Sequence, residues 1–305
     1  MKFAPFAVPG LAVSLLLAGC ATTTDDTTTD GTDAAITVVA STNVYGDIAS
    51  TIGGDLVEVT SIIDDPSQDP HSYEGNARVQ LALSKADIVI ENGGGYDEWA
   101  ATLLAGADND NAVVLNASDI SGYDQEPAEG EFNEHVWYDF PTMERLATEL
   151  AAQLGSLAPD SASTFDENAA SFIAELDLLE QRASELASTV DGAGVAITEP
   201  VPLYLLDASG FQNVTPEEFS EAIEEGGDVS PSVLLETIGL FASGAARVLV
   251  YNEQTTGAET EKVLAAAEAA ATPVVAVTES LPEGLDYLTW MNANLDALEQ
   301  SLVAP

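Results

Sequence analysis

Hydrophobic positions along the chain fall into two rhythms. Short runs at 36–40, 57–63, 87–91 and 112–115 have the length and β-branched content of buried strands. Between them, at about 44–53, 76–85 and 96–106, the apolar residues recur at helical spacing. Alternation at this interval predicts βαβ units and a parallel sheet. Helical spacing resumes over Thr142–Leu154, with Pro141 at its start. A longer amphipathic stretch opens at Pro159-Asp160-Ser161 and keeps Phe165, Ala169, Phe172, Leu176, Leu179 and Leu186 on one face. It closes at Asp191-Gly192-Ala193-Gly194, glycines suited to a helix stop. The alternation then restarts, with strands expected at 194–198, 247–251 and 273–277. Helices are expected at 216–225, 231–242, 258–270 and 286–302. The first of these starts at Thr215-Pro216-Glu217-Glu218, a capping threonine followed by proline and glutamates. The expected fold class is therefore α/β: two lobes, each with a parallel sheet flanked by helices, joined by one long helix. The boundaries fall at 35–158 for the N-terminal lobe, 159–190 for the linking helix and 191–305 for the C-terminal lobe.

The first 34 residues follow neither rhythm. Met1-Lys2 is a minimal positive end, and Ala7 to Ala18 is an apolar run too short to span a bilayer as a mature helix. Residues 1–19 have the form of a secretory signal peptide. Leu17-Ala18-Gly19-Cys20 resembles a bacterial lipobox, which implies that Cys20 takes a lipid on its sulfur and becomes the mature N-terminus. Residues 20–34 are mostly Thr, Asp, Ala and Gly, too little apolar surface to offset the entropy of ordering, and read as a lipid-anchored flexible tether. Cys20 is the sole cysteine, so no disulfide forms within the chain and packing must supply the stability.

Charge changes the list of partners. The 305 residues carry 52 Asp and Glu against 7 Lys and Arg, a formal net charge of -45. Nucleic acid and anionic membrane surfaces both need a basic footprint, and neither is expected as a partner. A negative field concentrates cations, although the same charge would also serve solubility in a salty habitat.

The chemistry is concentrated in the loops after the strands, where open α/β sheets build their sites. The only two histidines, His71 and His135, follow the second and fourth strand-like runs. Glu199 follows 194–198, Asn252 and Glu253 follow 247–251, and Glu279 follows 273–277 across Thr278. If the lobes face each other, two imidazoles and two or three carboxylates share one cleft. That donor set suits a borderline divalent metal. Each residue also has a plainer reading: His71 as a turn histidine, His135 as a core histidine beside Trp137, Glu199 as a solvated strand-end acid. Gly93-Gly94-Gly95 lacks the lysine of a phosphate-binding loop and reads as a tight strand-end turn.

Two segments then carry a resemblance. Asp69-Pro70-His71-Ser72-Tyr73-Glu74 and Glu134-His135-Val136-Trp137-Tyr138-Asp139 resemble, in this order, the two histidine elements of metal-binding lipoproteins from bacterial zinc or manganese ABC importers. The similarity runs from Ile36 to the end and includes Asp286-Tyr287-Leu288-Thr289-Trp290-Met291-Asn292-Ala293-Asn294-Leu295. It implies a ligand set of His71, His135, Glu199 and Glu279 for one transported divalent ion, Zn²⁺ or Mn²⁺, with Glu253 the substitute for Glu279. The family position of Glu279 is usually Asp, and the acidic stretch at 117–134 stands where zinc members carry a histidine-rich loop. Two glutamates in place of a third histidine lean the set toward manganese. The resemblance further implies a monomer anchored by its lipid on the outer face of the cell membrane. It would hand the ion to an ABC permease without enzymatic activity. Its rigid linking helix would restrict hinge motion, so that release requires local loosening of ligands. A metal-dependent hydrolase using the same ligands and a surface adhesin are the alternatives.

Overall fold

The computed structural model describes residues 35–303 apart from Pro66, Ser67, Asp69, Ser72 and Glu129. The signal peptide, Cys20 and the tether lie outside the described residues, as do Asp69 and Ser72 of the first histidine segment. From Ala35 onward the chain forms one compact unit.

The β-branched runs become the strands. In the first half these are β1 (Ile36–Thr42), β2 (Val57–Ile63), β3 (Ile88–Glu91) and β4 (Val113–Asn116). They form a sheet in the order β2-β1-β3-β4, parallel throughout, with Ile36 beside Val57 and Ile88 beside Val113. Helices α1 (Asn43–Gly53), α2 (Ala77–Leu83) and α3 (Glu98–Ala105) make the crossovers, as the helical spacing predicts. The acidic stretch expected as a loop opens instead with the short helix α4 (Ala117–Ser121), because the Asn116 side chain accepts from Asp119 N and nucleates a turn. Helix α5 (Phe140–Leu157) follows, its Asp139 side chain accepting from Thr142 N.

The second half repeats the plan. Strands β5 (Gly194–Ile197), β6 (Gln212–Asn213), β7 (Val248–Asn252) and β8 (Val274–Val277) pair in parallel in the order β6-β5-β7-β8. Helices α7 (Leu203–Ala208), α8 (Glu217–Glu224), α9 (Pro231–Ser243), α10 (Ala258–Ala269) and α11 (Tyr287–Val303) surround that sheet. The two-residue β6 and the short α7 fall between the elements expected from periodicity, because neither is long enough to show a period. Each sheet has its topological switch point beside its first strand, where the loops that follow diverge and leave a crevice.

Helix α6 (Ala162–Val190), 29 residues long, joins the halves. Phe165, Ala169, Phe172, Leu176, Leu179 and Leu186 are all buried, so the apolar face expected from the sequence is the one that packs. It packs on α1, α5, α7 and α11, which come from both halves. A single apolar cluster consequently runs from Val38 and Ile90 through Phe165 and Leu176 to Val195, Val250 and Leu295. On the outer side of α6, Arg182 binds Glu299 at 3.0–3.1 Å and also pairs with Asp296, clamping α6 to α11. Among the described residues no helix is long and apolar enough to cross a membrane.

The packed and exposed faces of α6 should respond differently to truncation. Phe172 is buried with its ring 5.9 Å from that of Tyr287, whereas Leu178 is exposed on the same helix. Phe172→Ala is expected to cost about 3–5 kcal/mol in urea denaturation. Leu178→Ala should stay within about 0.5 kcal/mol of the parent protein.

Candidate metal centre

His71 lies in the turn region after β2. Trp99 Nε1 donates to Pro70 O at 3.0 Å and ties that turn to α3. The imidazole meets the edge of the Tyr96 ring, centroids 4.9 Å apart. Tyr96 itself follows Gly93, Gly94 and Gly95, all three with positive φ. A Cβ at Gly93 would lie 2.2 Å from the Asn116 amide, so only glycine permits that turn. No phosphate chemistry is needed to account for the three glycines.

His135 is fully buried ahead of a single 3₁₀ turn, Val136–Tyr138. Its neighbours fix it by hydrogen bonds that cross between the halves. Asn133 Nδ2 donates to Pro200 O at 3.2 Å, which orients the amide so that Oδ1 faces the histidine. That oxygen accepts from the His135 backbone N–H at 3.2 Å and stands 2.7 Å from His135 Nδ1. An amide oxygen only accepts, so Nδ1 carries a hydrogen and Nε2 is left as the ligand atom. The Asn92 side chain donates to Glu134 O at 2.9 Å and holds the same segment from below. The plainer reading of His135 as a core residue beside Trp137 accounts for part of its setting, with ring centroids 5.0 Å apart. It does not account for Nε2, a buried atom without a hydrogen bond.

From the other half, Glu199 follows β5 and Glu279 follows β8, both buried. Asn252, at the end of β7, donates from Nδ2 to both, to Glu279 Oε1 at 2.7 Å and to Glu199 Oε2. Tyr96 donates to Glu279 Oε2 at 3.4 Å from the first half. His71, His135 and Glu279 each offer a ligand atom within 4.8 Å of the other two. Glu199 lines the same cavity of about 840 Å³ and is joined to that trio through Asn252. Glu253, the substitute for Glu279, is exposed and points away from the cavity lining.

One acid in the site was not foreseen from the sequence. Glu224, the last residue of α8, places Oε1 3.0 Å from His71 Nε2 and 3.2 Å from His135 Nε2. Glu217, Glu221 and Glu224 recur at i, i+4 and i+7, which puts them on one face, and all three line the cavity. That spacing is visible in the sequence, but a solvated helix face has the same pattern.

The electrostatics follow from the crowding. Burial alone would lower the pKa of His135, but the Glu224 carboxylate, with Glu134 and Glu279, outweighs it and holds the value at about 9. Burial alone would raise Glu224, but His135 and His71 hold it down at about 2. Glu199 has no such partner, and burial plus the charges of Glu224 and Glu279 push it up to about 8. Burial likewise raises Glu279. Two imidazoles with converging carboxylates are a donor set for a divalent transition metal, and the buried His135 Nε2, which faces Glu224 without making a hydrogen bond, fits that ligand.

The chain is similar to known metal-binding lipoproteins. The manganese-binding lipoprotein MntA of Halalkalibacterium halodurans is 26% identical over 251 residues, covering 78% of this chain and 82% of its own. A solved structure of a mutant laminin-binding adhesin from Streptococcus agalactiae superposes with a TM-score of 0.74 at 21% identity, covering 88% of this chain and 99% of that one. The solute-binding protein FpvC of Pseudomonas aeruginosa, solved with Mn²⁺, superposes with a TM-score of 0.73 at 22% identity over 88% and 98%. At these identities the two structures establish the shared fold alone. Residues 38–301 match the family described as ZnuA, zinc-uptake complex component A, periplasmic. The chain belongs to that family.

Proposed function

We propose that this chain is the extracytoplasmic solute-binding lipoprotein of an ABC importer. It would capture one divalent transition-metal ion and present it to a permease. The observation that carries this reading is the convergence of His71, His135 and Glu279 within 4.8 Å, with the buried His135 Nε2 lacking a hydrogen bond. In this reading His71, His135, Glu279 and Glu199 hold the ion. A closed set of protein ligands suits carriage, because activating a water for hydrolysis needs an open coordination position. Monodentate carboxylates would suit Zn²⁺ and bidentate ones Mn²⁺, while the general affinity order favours zinc at either. Cys20, lipidated, would keep the protein on the outer face of the membrane.

Binding should be stoichiometric, about one ion per chain by titration calorimetry with Mn²⁺ or Zn²⁺. His135→Ala removes a ligand and should weaken binding by more than about 100-fold. Asn133→Ala leaves the ligands in place but removes the partner of Nδ1 together with the bonds to the His135 backbone and Pro200, and should cost roughly 10–100-fold. Stoichiometric binding that survives His135→Ala unchanged would rule out this site.

The ion-free protein should also lose stability as pH rises. His135 titrates at about 9 in the fold against 6.5 ordinarily, so its contribution is complete below about 6.5 and lost through about 9. Glu199 has its folded value raised from 4.5 to about 8, and charging it while buried acts in the same direction. Glu224, held at about 2, stays ionised across this window. The melting temperature without metal is expected to fall between pH 6.5 and 9, and saturating Mn²⁺ should flatten the slope. Because the ion displaces the His135 proton, calorimetry at pH 7 in buffers of different ionisation enthalpy should detect proton release on binding. For the anchor, Cys20→Ala should move the protein from the membrane fraction to the soluble one on cell fractionation.

A further inference from the structure

The acid that sits nearest both imidazoles is not one of the strand-end residues. Glu224 Oε1 is 3.0 Å from His71 Nε2 and 3.2 Å from His135 Nε2. Two donors bound about 2.0–2.2 Å from one transition-metal ion lie roughly 3.0–3.4 Å apart, the range set by octahedral and tetrahedral angles. Both contacts fall in that range. The His71 contact is a hydrogen bond, whereas the His135 contact is an ion pair without hydrogen-bond alignment. Glu224 Oε2 is also buried and has no hydrogen-bond partner. Two buried atoms that make no hydrogen bond, His135 Nε2 and Glu224 Oε2, therefore border the same space. Glu199, by contrast, has its Oε2 engaged by Asn252.

We propose that Glu224 is itself a metal ligand, delivered by α8, and that it biases the site toward manganese. The proposal rests on the importer reading above and adds a fifth donor to it. With two imidazoles and the carboxylates of Glu224, Glu279 and Glu199, the donor set exceeds the four that fill a tetrahedron. A larger, oxygen-rich set suits Mn²⁺ more than Zn²⁺. The helix that carries the ligand also forms one wall of the cavity through Glu217 and Glu221. Two residues past its end stands Gly226, whose φ of +64° and open surroundings give the chain a turn there. Entry of the ion and seating of α8 are thereby linked through one side chain.

The test compares the full protein with Glu224→Gln and Glu224→Ala by titration with Mn²⁺ and with Zn²⁺. Circular dichroism and melting temperature check that both variants fold. His135→Ala serves as the control for the site itself. Expected is at least a tenfold loss of Mn²⁺ affinity in both variants, with a smaller loss for Zn²⁺. Electron paramagnetic resonance of bound Mn²⁺ should change in Glu224→Gln, because a charged carboxylate donor is replaced by a weaker neutral amide, and more in Glu224→Ala, where the oxygen donor is gone. Unchanged affinity overturns the proposal. Tighter binding overturns it too, since Glu224 would then be a counter-charge that the incoming ion must displace. An equal loss for both metals overturns the manganese bias. If the parent protein binds neither metal, or His135→Ala binds as the parent does, the importer reading itself fails. That outcome is distinct from a Glu224 result obtained on a working site.

Discussion

The site gathers more negative charge than the protein can neutralise from its own side chains. Among the described residues no Lys or Arg lines the cavity, and the whole chain has only seven of them. Glu199 and Glu279 are buried beside each other and beside Glu224, so burial and mutual repulsion raise the affinity of the first two for protons. The two imidazoles compensate chiefly Glu224 and, less closely, Glu279, while Asn252 offers Glu199 and Glu279 only a neutral amide. A cleft in this condition is destabilised whenever its acids are charged and unpaired. A divalent cation removes that penalty at one stroke, which ties ion capture to the stability of the fold. The remaining basic groups serve elsewhere, as Arg182 does in clamping α6 to α11.

The parts of the site are held from both sides of the cleft. Tyr138 Oη donates to Thr278 O at 2.7 Å, directly before Glu279. Tyr204 Oη donates to Asn133 O and Tyr287 Oη to Trp137 O, both at 2.7 Å, so the two segments flanking His135 are pinned by the second half. Asn43 exchanges two hydrogen bonds with the Leu281 backbone, at 2.9 and 3.0 Å. With a continuous apolar core running through α6, wide opening of the halves would break all of these together. Exchange of the ion is accordingly assigned to small groups that can move alone. His71 is the more exposed of the two histidines, its side chain 28% exposed against 0% for His135.

Much of this was legible in the chain, for reasons particular to each element. Strands β1, β2, β3, β5, β7 and β8 are short β-branched runs between glycine- or acid-rich turns, and α6 repeats its apolar residues over enough turns for the face to be unmistakable. The rule that sites follow strand ends pointed to His71, His135, Glu199, Asn252, Glu253 and Glu279, because those positions are set by the backbone path of any open parallel sheet, and the family resemblance narrowed them to His71, His135, Glu199 and Glu279. Elements of two to six residues, β6, α4 and α7, were hidden because a period cannot be read from less than about two turns.

Sequence alone placed His71, His135, Glu199 and Glu279 in the loops that follow strands, since strand alternation and loop position are local properties. It could not determine which of them converge on one point. Glu217, Glu221 and Glu224 look like the wet side of an ordinary helix, and only the docking of α8 against the cleft turns Glu224 toward both histidines. Asn252, the last residue of β7, is held inward by its bonds to Glu199 and Glu279, whereas Glu253, just past the strand, is exposed. Convergence is a long-range property: it depends on how two sheets and one helix pack, and no window of the chain contains it.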